Sequence, residues 1–512
     1  MRVDNKKNAT TQPRQAGVVM HITSLPGRFG IGEIGEQARA FVDSMLRMNL
    51  SVWQFLPLGP TAYGDSPYQP LSTFAGNEML IDIQDLITRG LLTAAEASPL
   101  AALPADFVDY GALIPLKSKL LTMACGRFEA IADTQQKAAF GEFVTKHDRL
   151  WLHDYALFRL LKAHNEELPW YQWEQRYAHR NAAALRRLQR ENASSIKASK
   201  ILQFLFFDQW QALRKYANAA GIQLFADMPI YIAHDSADAW AHPELLCLDN
   251  DGRAVNVAGV PPDYFSEDGQ LWGNPLYDWQ YHAATGYQWW IERLRAATEL
   301  ADLVRIDHFR GFESYWSISA DADTARNGCW KPGPGDAIFE AFADTFATLP
   351  IIAEDLGVIT AEVEALRDRH HLTGMAVLQF IICDHDFSLE NIPYERICYT
   401  GTHDNNTTLG WFLGSDNDRR PKSEILASQQ TILSRTGGSA ETVSIDIIQL
   451  AFSTAARIAI APMQDILSMD SSARMNTPGT TDNNWRWRMQ SEQLSDQVCD
   501  NIRALVKDSE RS

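Results

Sequence analysis

The chain has 512 residues, 46% of them hydrophobic, and a formal net charge of −18. It has no stretch near the ~18 uninterrupted apolar residues of a membrane span, and no basic block that would displace counterions from nucleic acid or dock on anionic lipid. Such a chain has material for a large core and a surface suited to an enzyme acting on something neutral.

Residues 1–16 are polar, lack the apolar centre of a signal peptide and read as a short disordered arm, so the expected location is cytoplasmic. Eight short apolar runs follow: GVVMHI (17–22), SVWQFLP (51–57), IQLFADMPI (222–230), ADLVRID (301–307), PIIAED (350–355), MAVLQFI (375–381), RICYTGT (396–402) and RIAIAPMQ (457–464). Each reads as a buried strand. Amphipathic helical patterns lie between them, as in IGEQARAFVDSMLRM and YQWWIERLRAATEL. Continuous apolar strands alternating with helices mean a parallel sheet covered on both faces. Eight such units predict an α/β fold of the (β/α)8 TIM barrel class, with an open doubly wound sheet as the alternative. G-x-G-x-x-G, expected of many open sheets, is absent.

The units are uneven. Roughly 165 residues separate the second and third runs, far more than a crossover needs. We expect a catalytic barrel over 17–490, with an inserted helical subdomain at about 60–200 and a loop excursion at about 233–280. The latter is rich in Pro, Gly, Asp and aromatics. A helix or tail is expected over 491–512, and no C-terminal β-domain. The scattered cysteines, Cys125, Cys247, Cys329, Cys383, Cys398 and Cys499, form no C-x-x-C pair and read as reduced, mostly buried thiols. The 15 tryptophans serve either core packing or stacking on flat apolar faces such as those of sugar rings.

Several runs end in acids: Asp227 in the third, Asp307 in the fourth, Glu354 and Asp355 in the fifth, and Asp404, after His403, beyond the seventh. In a barrel these ends converge on the face that carries active sites. Clustered carboxylates repel one another, so they either hold a cation or do acid–base and nucleophilic work. Arg305 lies two residues from Asp307, hence on the same side of the strand. A guanidinium beside a carboxylate favours its charged form, which a nucleophile needs. Glu354 and Asp355 are adjacent and point opposite ways, so only one faces the barrel axis. The other, like Asp404, could be a helix cap.

Glycoside transfer uses this set, with one carboxylate to attack the sugar carbon and one protonated acid to release the leaving oxygen. A metal-dependent barrel lyase is the competing reading, weakened because no run ends in a lysine base. A non-catalytic glucan-binding protein would have no use for the acids.

The chain also resembles the amylomaltases, 4-α-glucanotransferases of glycoside hydrolase family 77, from about residue 16 to its C-terminal region. The resemblance rests on LPLGPTAYGDSPYQPLSTFAGN, DMPIYIAHDSADAW, GVPPDYFSEDGQLWGNPLYDW, VRIDHFRGFESYW, IIAEDLGVIT, YTGTHDNNTTLGW and ARMNTPGTTDNNWRWR, in that order. It implies a retaining transfer of α-1,4-glucan segments, with maltooligosaccharides as donors, glucose or maltooligosaccharide as acceptors, and neither cofactor nor metal. By resemblance Asp307 is the nucleophile, Glu354 the general acid/base and Asp404 the transition-state stabiliser. Tyr68, Asp227, Arg305, His403 and Asn476 then line the substrate cleft. Tyr264, Phe265 and Trp272 belong to a segment similar to the family's mobile loop over the donor site. An amylase-type hydrolase shares the first half-reaction and is the alternative. Two departures stand out. Ile22 replaces an expected proline, and Leu389-Glu390-Asn391 stands where many relatives carry a Pro-His-Asn stretch, which bears on chain-length preference.

Overall fold

The computed structural model describes residues 13–262, 267–415, 418 and 420–512. Eight parallel strands form one sheet: β1 Gln15–Val19, β2 Val52–Gln54, β3 Gln223–Met228, β4 Leu303–Ile306, β5 Ile351–Ala353, β6 Gly374–Val377, β7 Arg396–Tyr399 and β8 Ile458–Pro462. Their order is β6-β7-β8-β1-β2-β3-β4-β5. The ring closes between β5 and β6 through one parallel bridge, Ile352 to Thr373, where the Ala353 N–H donates to the Thr373 carbonyl at 2.8 Å. The protein is therefore a (β/α)8 barrel. Each apolar run overlaps one strand, which stops short of the run's end; β1 begins two residues ahead of its run and β6 one, and the run at 375–381 turns into the helix Leu378–Ile381 after Val377.

The period of two sorts the strand residues. Val19, Val52, Phe225, Ile352, Met375, Val377, Ile397, Tyr399, Ile458 and Ile460 fill the interior. Their sequence neighbours Val18, Trp53, Leu224, Cys398 and Ala459 pack outward against the helices. β1 and β2 approach closely at Gly17, where a Cβ would come within 2.7 Å of the Val52 carbonyl oxygen.

Between β2 and β3 the chain forms helices at Tyr110–Ile131, Thr134–His147, His153–His164 and Ala182–Glu191, then Ala193–Ala219, which leads into β3. Lys117, on the first of these, is fully buried and paired with Glu33. Burial pushes the Glu33 carboxyl up to about 7 even against that ammonium.

Residues 233–280 are more than a loop. They contain two strands, Asn256–Val260 and Gln270–Pro275, which join Ser314–Ser319 and Cys329–Pro332, from beyond β4, in a four-stranded antiparallel sheet. The N-terminal arm lies outside the described residues up to position 12, while Gln15 and Ala16 already belong to β1. Near the other end the helix Asp496–Asp508 is followed by buried Arg511, which donates to the carbonyls of Phe452, Ala456, Thr454 and Gln15.

All six cysteines are free thiols, but only Cys125, Cys398 and Cys499 are buried; Cys329 and Cys383 are exposed. Ile22 is fully buried in a short 3-10 turn, and Leu389–Asn391 forms another with no buried residue. Among the described residues no helix is long and apolar enough to cross a membrane.

Candidate active site

The site is built from the inward-facing residues at the C-terminal ends of β3, β4 and β5 and the loop after β7. Asp227 and Arg305 are register partners on β3 and β4. The Arg305 guanidinium donates from Nη1 to both oxygens of Asp227, at 2.8 and 2.7 Å, and pairs through Nη2 with Asp307 Oδ1 at 2.9 Å. Tyr68 donates its hydroxyl to Asp227 Oδ2 at 2.8 Å. Burial works against the guanidinium's charge, but Asp227 and Asp307 outweigh it and hold Arg305 charged. The Asp227 side chain is 0% exposed and that of Asp307 31%, so Asp307 is open to a ligand while Asp227 acts through Arg305 and Tyr68.

Glu354 stands one rung beyond the regular β4–β5 ladder. Its N–H donates to the Ile306 carbonyl and its own carbonyl accepts the Phe309 N–H, both at 3.1 Å. His308 between them adopts the left-handed conformation, φ 53° and ψ 50°. Its N–H therefore leaves the ladder and donates to Glu354 Oε2 at 2.7 Å, while the Leu356 N–H reaches Oε1 at 3.1 Å. Burial raises the Glu354 carboxyl to about 8; the neighbouring Asp307 adds to the rise, and Arg305 and the His308 N–H oppose it.

Asp355 points the other way. It accepts the Met375 N–H at 2.7 Å and pairs with Arg367 and Arg396. Neither it nor Asp404 is a helix cap: the helices that follow, Ala361–Arg369 and Thr408–Leu413, have Thr360 and Thr407 at their N-cap positions.

The loop after β7 supplies His403 and Asp404. Asp404 lies 3.3 Å from His403 Nε2 through Oδ2 and accepts from Asn476 Nδ2 at 2.6 Å through Oδ1. Its side chain is 45% exposed. Burial of the site disfavours its charge, but His403, Asn476 and Arg305 prevail and hold the carboxyl below the usual range. The same pairing holds His403 above its ordinary value despite burial. Tyr68 stacks on His403 with centroids 5.0 Å apart and planes 17° from parallel.

Trp272 is half-buried and meets the His308 ring edge-on at 4.9 Å. Tyr264 and Phe265 lie outside the described residues. The other candidate residues form one connected constellation. A polar chain runs Asp307–Arg305–Asp227–Tyr68–His403–Asp404–Asn476, and Glu354 and Trp272 join through His308.

Three contributors escape sequence reasoning. Arg474 donates to the carbonyls of Asp404 and Asn476 at 2.8 and 2.7 Å. Trp485 tilts against Tyr68 and His403, at 5.8 and 6.0 Å. His308 acts through its main chain. Arg474 and Trp485 both fall in the ARMNTPGTTDNNWRWR stretch, which was a signal of place though not of contact. Among the described residues no group of three or more His, Cys, Asp or Glu side chains is placed to hold a metal ion.

Residues 20–494 match the family model described as 4-alpha-glucanotransferase. The chain is 44% identical to the 4-alpha-glucanotransferase of Thermus thermophilus over 505 residues, covering 98% of this chain and 99% of that one. It is 44% identical to the Synechocystis sp. 4-alpha-glucanotransferase over 491 residues, covering 94% and 95%. It also superposes on the amylomaltase of Streptococcus agalactiae, solved in complex with acarbose, with a TM-score of 0.92 and 35% identity over 98% of this chain and 100% of that one. A barrel rim with this set of acids, matched over nearly the whole chain, makes the protein a member of the 4-alpha-glucanotransferase family, glycoside hydrolase family 77.

Proposed function

We propose that the chain is a 4-α-glucanotransferase, an amylomaltase. It moves a segment of an α-1,4-glucan or maltooligosaccharide onto the 4-hydroxyl of another glucan or of glucose, with retention of configuration. The observation that carries the reading is the contrast between two neighbouring acids. The Glu354 carboxyl is held by two main-chain N–H groups and raised to about 8 by desolvation, while the partly exposed Asp307 is bonded to a fixed guanidinium. That is the division of labour between a proton donor and a charged nucleophile.

Asp307 attacks the anomeric carbon of the donor sugar as Glu354 gives its proton to the leaving glycosidic oxygen. The shortened chain departs and a covalent glycosyl ester on Asp307 remains. Glu354, now a carboxylate, takes the proton of the acceptor 4-hydroxyl, whose oxygen displaces Asp307. Two inversions give net retention, and the two carboxyl groups should stand about 5–5.5 Å apart in the working complex. Asp404, held ionised by His403 and Asn476, accepts hydrogen bonds from the 2- and 3-hydroxyls of the distorted ring and steadies its positive charge. Asp227 fixes Arg305 and Tyr68. Trp272 offers an aromatic edge that excludes water and favours a sugar acceptor.

Incubation with maltotriose tests this reading. Glucose together with a ladder of longer oligosaccharides is expected. Short products alone would mean an amylase-type hydrolase, and loss of activity in EDTA would mean a metal-dependent enzyme.

A further inference from the structure

The loop that presents His403 and Asp404 leaves β7 after Tyr399 and rejoins regular structure at the helix Thr408–Leu413. One carboxylate grips both of its ends. Asp465, on the short helix Met463–Ile466 directly after β8, is 1% exposed. Its Oδ2 accepts the hydroxyls of Thr400 and Thr408, each at 2.7 Å, and its Oδ1 accepts the Thr408 N–H at 2.7 Å. Thr400 and Thr408 flank residues 401–407, so the three bonds draw the base of the loop together.

A side chain that only filled space here would be apolar, because burying a carboxylate is costly. Burial does push the Asp465 carboxyl up, against the three donated bonds. The chain beyond it continues the grip. Ser471 Oγ accepts from Asn406 Nδ2 at 2.9 Å, and Arg474 and Asn476 hold Asp404 itself. From β6's side, Gln379 donates to the Asn406 carbonyl at 3.0 Å. The loop is thus held at base, middle and tip, and Asp465 makes the contact at its base.

We infer that Asp465 is a positioning residue for transfer: by clasping Thr400 and Thr408 it fixes the loop that carries Asp404 into the cleft, acting through that loop and not on the sugar. A charged group that serves the transition state loses its effect when displaced by about 1 Å. The inference rests on the role proposed above for Asp404.

The test compares full-length wild type, Asp465→Asn, Asp404→Asn and the double variant in maltotriose disproportionation, with thermal unfolding alongside. Asparagine keeps the shape of the side chain but cannot accept all three donors. In Asp465→Asn, kcat should fall about tenfold or more with KM within about threefold, the loss of an interaction made in the transition state. The double variant should fall no further than Asp404→Asn alone. A folded Asp465→Asn with kcat within about twofold of wild type, or additive losses in the double variant, would overturn the inference. If Asp465→Asn fails to fold, Thr400→Val, which removes one hydroxyl at the start of the loop, decides by the same criteria. An Asp404→Asn variant as active as wild type would instead sink the reading of the site.

Discussion

His308 gives its main-chain N–H to the Glu354 carboxylate at 2.7 Å because it sits in the left-handed region, φ 53°. A regular strand would have spent that donor on the ladder. Side chains other than glycine and asparagine occupy this region at a cost of roughly 1 kcal/mol or more, so the backbone next to Asp307 stores strain that orients Glu354, the proposed proton donor. His308→Gly should keep the bond and the pH behaviour of Glu354, because glycine adopts this conformation freely. The β-branched His308→Val should shift or abolish the alkaline limb of kcat/KM, measured from pH 5 to 10.

That limb has a definite sign. With its carboxyl raised to about 8, Glu354 is protonated at neutral pH, and kcat/KM should fall as pH rises through about 8. Stability follows the same direction. The folded chain keeps this proton up to about pH 8 and the unfolded chain only to glutamate's ordinary 4.5. Between those values the folded state binds more protons, so the contribution of Glu354 to stability declines as pH increases. A pH–rate profile with no alkaline limb between pH 7 and 9 would contradict the assignment.

Asp307→Asn removes the proposed nucleophile while leaving a partly exposed, nearly isosteric side chain. We expect turnover to drop on the order of 10⁴-fold or more, with unchanged circular dichroism and a melting midpoint near that of wild type. A maltotriose ladder formed at close to the wild-type rate would end the proposed mechanism.

Trp272→Ala takes away the aromatic wall beside His308. An edge-on aromatic contact of this kind is worth about 1 kcal/mol. Transfer kcat/KM should therefore fall roughly five- to tenfold, and the ratio of hydrolysis to transfer should rise as water gains access. Reducing ends counted against oligosaccharide products measure that ratio.

Lys117→Met leaves the buried Glu33 carboxyl without its ammonium partner. Breaking a buried pair in this way costs about 3–5 kcal/mol, whereas replacing both partners by apolar groups is often neutral. Urea unfolding should show the large loss in the single variant and recovery of most of it in Glu33→Leu/Lys117→Met. An unchanged single variant would show that the pair holds little.

The barrel was legible because its strands are buried on both faces and so appear as unbroken apolar runs. The acids at their ends were legible because such runs rarely stop in charge. The small antiparallel sheet was not. Its strands range from mostly buried, at 256–260, to fully exposed, at 329–332, and are drawn from both sides of β4, so neither announces its partner. The contact of Arg474 with Asp404 spans 70 positions and ends on a backbone carbonyl, which no side-chain pattern encodes. The direction of Glu354 against Asp355 was undecidable from composition. In the fold it follows from strand parity, since Ile352 faces inward and Ile351 and Ala353 face the helices.

That parity gives one dipeptide two trades. The seam of the ring, between β5 and β6, is stitched by a single bridge. There Asp355 reaches across with a bond to Met375 and ion pairs to Arg367 and Arg396. In the proposed mechanism catalyst and rivet are consecutive residues, so a breath at this singly bridged seam would be felt at once by Glu354, and three bonds from its neighbour are tied where slackness would do harm.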